Sequence, residues 1–100
     1  MYGRNGECPC VVIAASSPSD CFETAFEAGR IAVEHMIPVM LLSDGYIANG
    51  SEPWKIPEVE KLPQIKNNII KKSHENGFMP YDRDNETLAR QWAIPGMEGF

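Results

Sequence analysis

The sequence predicts an α/β fold: one βαβ unit with parallel strands, followed by a long irregular proline-rich arm. Three observations lead there. Two short apolar runs, Val11-Val12-Ile13-Ala14-Ala15 and Val39-Met40-Leu41-Leu42, are bounded by breaker and turn residues, as strands buried on both faces are. Between them, apolar residues recur at helical spacing. Beyond Glu52 the periodicity fades, and five of the eight prolines lie there. Strand, helix and strand with short connections make a crossover unit, which is almost always right-handed. Two strands do not close a parallel sheet, so the chain reads as a piece of a larger α/β protein. Residues 1–54 are expected to hold the βαβ part, and residues 55–100 to form an extended connecting arm.

Residues 1–7 read as an irregular lead-in. Pro9 precedes the first strand, where a missing N–H does least harm. The helix opens with Ser17 as N-cap, Pro18 in the first position and Asp20 three residues after the cap, resembling a capping box. Phe22, Ala25, Phe26, Gly29, Ala32, Val33 and Met36 form its apolar stripe, opposite Glu23, Glu27, Arg30 and Glu34. Arg30 is spaced to pair with Glu27 and Glu34, for about 0.2–0.5 kcal/mol each. Gly29 costs about 1 kcal/mol of helix propensity, which points to close approach of the helix to a sheet. Pro38 ends the segment, and His35 suits the negative end of the helix. In the arm, Ile65 to Lys72 fits a short strand or one helical turn, and Glu86 to Trp92 a short helix. Such an arm is expected to pack on another domain or subunit.

Ligands of open parallel sheets bind outside the carboxyl ends of the strands. The stretch leaving the second strand, Ser43 to Ser51, is therefore the candidate site, with Asp44, Gly45, Tyr46, Asn49, Gly50 and Ser51 as its residues. Asp44-Gly45 and Asn49-Gly50-Ser51 are turn signals. Asp44 is expected to organise the turn rather than act as acid or base, and Glu52 to be solvated. Ser16, Ser17 and Ser19 sit where a helix start attracts anions, but capping accounts for Ser17. Cys8, Cys10 and Cys21 lack the spacing of a zinc or cluster site, even with His35 and His74 at hand. There is no P-loop, and Gly3 and Gly6 precede a strand instead of following one. A net charge of −5 argues against nucleic acid. No apolar run suits a membrane span or a signal peptide. Three cysteines give no even disulfide framework, so the expected compartment is the reducing cytoplasm.

The string Leu41 to Trp54, L-L-S-D-G-Y-I-A-N-G-S-E-P-W, closely resembles the alpha subunit of 2-oxoglutarate:ferredoxin oxidoreductases. Tyr2-Gly3-Arg4-Asn5-Gly6-Glu7 and Ser17-Pro18-Ser19-Asp20-Cys21-Phe22 agree with that family. So do Pro80-Tyr81, Arg83-Asp84, Leu88-Ala89-Arg90 and Trp92-Ala93-Ile94-Pro95-Gly96. The resemblance implies a fragment of a thiamine-diphosphate-binding fold, the C-terminal part of its pyrimidine-binding domain. It implies an enzyme that decarboxylates a 2-oxoacid on thiamine diphosphate, forms acyl-CoA and reduces ferredoxin through an iron–sulfur cluster. The diphosphate and Mg2+ fall mainly to the beta subunit, the expected partner, and the activating glutamate lies upstream of the match. No catalytic residue and no metal ligand is therefore carried onto this chain. Alone it is expected to hold no cofactor, to be inactive and to self-associate. The alternative is a free-standing, non-catalytic module that binds a partner subunit.

Overall fold

Parallel pairing of two apolar strands organises the molecule. The computed structural model describes residues 2–3, 5–70 and 77–97. Arg4, the Lys71-Lys72 end of the Ile65 segment and the candidate ligand His74 lie outside the described residues. Strand β1 (Tyr2–Gly3) pairs antiparallel with β2 (Gly6–Glu7). The lead-in is thus a minimal hairpin rather than irregular chain, with Gly6 at φ 151°, a conformation that favours glycine. Strand β3 (Val11–Ala14) then pairs parallel with β4 (Val39–Leu42), Val11 opposite Val39 and Ala14 opposite Leu42. Ala15 N–H extends the ladder to Leu42 O at 3.2 Å. Helix α1 (Asp20–His35) crosses between the strands and packs on both.

Both strands were expected to be buried on two faces, and they are not. Val12, Met40 and Leu42 share one face, and all three are exposed, Met40 by 55% and Leu42 by 50%. The physical reason is the layer count: helix α1 covers one face of a two-stranded sheet, and among the described residues no second layer covers the other. Gly29 also departs from expectation. A Cβ built there meets nothing within 4 Å, so no close approach to the sheet requires glycine. The Arg30 pairings hold: its guanidinium donates to Glu27 and, at 2.6 Å, to Glu34, and these carboxylates raise its pKa further.

After a short helix, α2 (Gly45–Asn49), and a single 3-10 turn at Val59–Lys61, the arm doubles back. Ile69 bridges Trp92 in parallel and Arg83 bridges Arg90 antiparallel. The expected helix from Glu86 to Trp92 is instead a tight turn followed by extended chain. Asp84 explains it: its carboxylate accepts from Thr87 N–H at 2.7 Å, Thr87 Oγ1 at 2.8 Å and Glu86 N–H at 3.1 Å. Such a local side-chain to backbone set competes with helix, and Leu88 at φ 57° then reverses the chain. Ile65 to Ile70, the described part of the Ile65 to Lys72 stretch, is neither a regular strand nor a helical turn: it is irregular chain with one bridge, at Ile69.

The arm docks on the C-terminal end of α1. Trp92 Nε1 donates to Val33 O at 2.8 Å, Asn68 Nδ2 to Glu34 O at 2.9 Å and Arg90 Nη2 to Met36 O at 3.1 Å. Carbonyls in the last helical turn have no partner within the helix, and the arm supplies three. Among the described residues few are buried: Ala15 beside the sheet, Ile70 and Ala89 in the arm.

Candidate functional site

Because β3 and β4 run parallel, their carboxyl ends lie side by side and two loops leave from the same edge. The first leads into α1. Ser16 donates to Asp20 Oδ2 through its N–H at 2.8 Å and its hydroxyl at 2.9 Å, which holds the Asp20 carboxyl below its ordinary pKa. Asp20 N–H donates back to Ser17 Oγ at 3.3 Å. The expected cap at Ser17 is therefore made, but as part of a turn that precedes the helix. Regular helix begins at Asp20, with Ser19 in the capping position and no bond from its own side chain to the helix.

The second loop holds the candidate residues. Asp44 is extended, at φ −123°, and its Oδ1 accepts from Ile47 N–H at 2.8 Å. This is the geometry of an N-cap, and it starts α2 where the turn signals alone suggested two separate turns. Asn49 Nδ2 donates to Gly45 O at 2.7 Å and Gly50 N–H to Ile47 O at 3.3 Å, closing the short helix. A Cβ on Gly50 would lie 3.0 Å from Tyr46 O and 3.1 Å from Pro18 Cγ, so this position is built for close approach. Gly45 has open space around it.

The two loops meet. Ser19 N–H donates to Glu52 Oε2 at 2.9 Å, across 33 residues of sequence. Trp54 rests against Phe22 with ring centroids 5.5 Å apart. Between the loops opens a cleft of about 570 Å³, lined by Ser17, Pro18, Gly45, Tyr46, Asn49, Gly50, Ser51 and Glu52. Five of the six candidate residues line it, while Asp44 stands behind, at the start of α2. Ser17, Pro18 and Glu52 were not among the candidates. The one signal for them was the serine cluster at a helix start, which attracts a carboxylate.

Glu52 is exposed but not merely solvated. The Ser19 N–H, then the Ser19 and Ser17 hydroxyls, hold its pKa below the ordinary carboxylate range, so at neutral pH it is an ionised acceptor. Among the described residues, the lining contains no lysine, arginine or histidine. The helix start that could attract an outside anion already holds the chain's own carboxylate. The cleft thus suits an uncharged polar or a cationic group, and the one carboxylate bonded to its serine hydroxyls, Glu52, has a lowered pKa and is a correspondingly weak base. Tyr46, 87% exposed, projects from the rim.

The cysteines lie elsewhere. Cys8 and Cys10 line a separate cavity of about 520 Å³ with Pro9, Val11, Ile37, Pro38 and Arg83. Cys21 Sγ donates to Ser17 O at 3.5 Å. No disulfide links the three. Among the described residues no three His, Cys, Asp or Glu side chains are grouped to hold a metal, and no helix is long and apolar enough to cross a membrane.

Three curated proteins illustrate the relationship. The chain is 63% identical, over its full 100 residues, to the 2-oxoglutarate oxidoreductase subunit KorA of Mycobacterium tuberculosis, of which it covers 15%. It is 31% identical over 83 residues to the 2-oxoglutarate synthase subunit KorA of Archaeoglobus fulgidus, covering 78% of this chain and 24% of that one. With the protein of the same name from Methanothermobacter marburgensis the identity is 28% over 65 residues, 65% of this chain and 17% of that one. The chain thus spans less than a quarter of these relatives' length. No solved structure matches it. The family model for pyruvate flavodoxin/ferredoxin oxidoreductase, thiamine diP-binding, matches residues 1–99. That match does not support the expected placement in the C-terminal part of the pyrimidine-binding domain, and the placement is withdrawn. A match running through βαβ unit and arm alike shows that the chain belongs to the thiamine-diphosphate-binding family of pyruvate flavodoxin/ferredoxin oxidoreductases.

Proposed function

We propose that this chain is part of the alpha subunit of a thiamine-diphosphate-dependent 2-oxoacid:ferredoxin oxidoreductase, converting 2-oxoglutarate to succinyl-CoA with reduction of ferredoxin. The observation that carries the reading is 63% identity along the whole chain to a relative named for 2-oxoglutarate. The partner is the beta subunit, with ferredoxin and CoA meeting the assembled complex. Residues 1–54 act as the βαβ part and residues 55–100 as a connection. The complex works in the cytoplasm.

The cleft between the two loops is the part of this chain that would face cofactor or partner. A diphosphate with Mg2+ needs cationic groups or free carboxylates, and the described lining offers neither: Glu52 is engaged by Ser19, and no basic side chain is among the described lining residues. The cleft therefore does not fit the diphosphate end, nor an iron–sulfur cluster, and those groups belong to other parts of the complex. What fits is an uncharged polar ring or a protein surface. In this reading the chain shapes and encloses; it does not itself move protons. Alone it is inactive, and its uncovered apolar strands favour self-association.

The test is the assembled enzyme containing this chain, assayed for CoA-dependent ferredoxin reduction with 2-oxoglutarate and with pyruvate. Activity with 2-oxoglutarate well above that with pyruvate is expected. Reduction with pyruvate alone, or with neither acid, would reject the assignment.

A further inference from the structure

We infer that Glu52 is a positioning residue, a clasp that ties the segment after α2 to the first turn of α1 and so sets the opening of the cleft. Three contacts act together over a short stretch. Glu52 Oε2 accepts from Ser19 N–H at 2.9 Å. Gly50 lies so near Pro18 that a Cβ would come within 3.1 Å of its ring. Trp54 meets Phe22 at 5.5 Å between centroids. Positions 50, 52 and 54 alternate, and each reaches the stretch from residue 18 to 22.

Of the three, Glu52 is the only directional and charged contact, and the only one aimed at a backbone donor. The N–H groups at a helix start have no partner within the helix, so a carboxylate there is held by hydrogen bond and by helix dipole together. Of the two acidic residues in the first turn of α1, Asp20 and Glu23, Asp20 is turned to Ser16 and does not compete for Ser19 N–H. Removing Glu52 leaves Gly50 and Trp54 with nonpolar contacts alone, and the strand-side loops are then free to part. The consequence concerns occupancy as well as shape. With Glu52 seated, its carboxylate occupies the Ser19 N–H that an outside anion would need.

This inference rests on the reading of the cleft given above, and the experiment separates the two. In the full-length subunit within its assembled complex, Glu52→Ala and Glu52→Gln are compared with wild type. Two readouts are taken, hydrogen exchange at the Ser19 amide and apparent affinity for thiamine diphosphate alongside kcat. Glu52→Ala should speed Ser19 exchange about tenfold or more, because its acceptor is lost. Glu52→Gln keeps an oxygen in place and should stay within about threefold of wild type. Cofactor affinity should fall in Glu52→Ala while kcat at saturation stays near wild type, the mark of a residue that positions without touching reacting atoms. Glu52 is exposed, so both variants should fold and assemble. If Glu52→Ala leaves Ser19 exchange unchanged, the clasp is refuted. If exchange rises but cofactor affinity does not move, the clasp stands and the assignment of the cleft to the cofactor falls.

Discussion

Asp44 shows at the scale of one residue how a cap decides a site. Its Oδ1 holds Ile47 N–H, and the short helix that presents Tyr46 and Asn49 depends on that bond. Losing an N-cap acceptor costs about 0.5–2 kcal/mol. In the assembled enzyme, Asp44→Ala should lower assembly or activity by that order, and Asp44→Asn should be milder, since it keeps an acceptor. Equal damage from both with assembly intact would point to acid–base chemistry instead, and turnover measured beside subunit assembly tells the two apart. Gly50→Ala is a second test: its Cβ would press on Tyr46 O and Pro18, and overpacking of this kind costs about 1–3 kcal/mol. A fully stable Gly50→Ala protein in denaturant titration would contradict the close approach. Acid should act here too. The pKa values of Glu52, Asp20 and Asp84 are lowered in the fold, from ordinary values of 4.5 for Glu52 and 3.8 for the aspartates. A lowered carboxylate contributes stability above its unfolded pKa and loses it as pH falls through the folded value. Stability should therefore stay flat from neutral pH down to about 4.5 and fall below that. A loss already between pH 7 and 6, followed by circular dichroism, would assign the effect to other groups.

At the scale of elements, the βαβ unit was legible because its signals are local: two apolar runs, a helical stripe and proline stops. Five of the six candidate residues also fell on the cleft, since a polar stretch after a parallel strand marks the carboxyl edge. What escaped depends on contacts distant in sequence. Nothing near Glu52 reveals that it meets Ser19, and nothing near Trp92 reveals that its indole N–H caps Val33, 59 residues away. The stretch from Glu86 to Trp92 misled for the opposite reason: its helix-forming residues are overruled by one aspartate, Asp84, just before them. Trp92→Phe keeps a ring but removes the donor to Val33 O, which should weaken arm docking by about 1 kcal/mol. Faster proteolysis between residues 62 and 70 would report it, and unchanged cleavage would show that the ring alone holds the arm.

The whole molecule is open. Its radius of gyration is 17.7 Å, against roughly 13 Å for a compact domain of this length. Val12, Met40 and Leu42 remain exposed on the sheet, because the described part of the arm folds onto the end of α1 and not over the strands. Light scattering of the isolated chain should accordingly show self-association that rises with concentration, and a clean monomer throughout would mean that those strands are covered in solution. The cleft is open in the same way, with Tyr46 standing out at its rim. In the working enzyme, we propose, this rim faces the partner subunit. A photo-crosslinking residue placed at Tyr46 in the full-length, assembled complex tests that most directly. Efficient crosslinking to the beta subunit is predicted, and crosslinks confined to the chain's own subunit would contradict it.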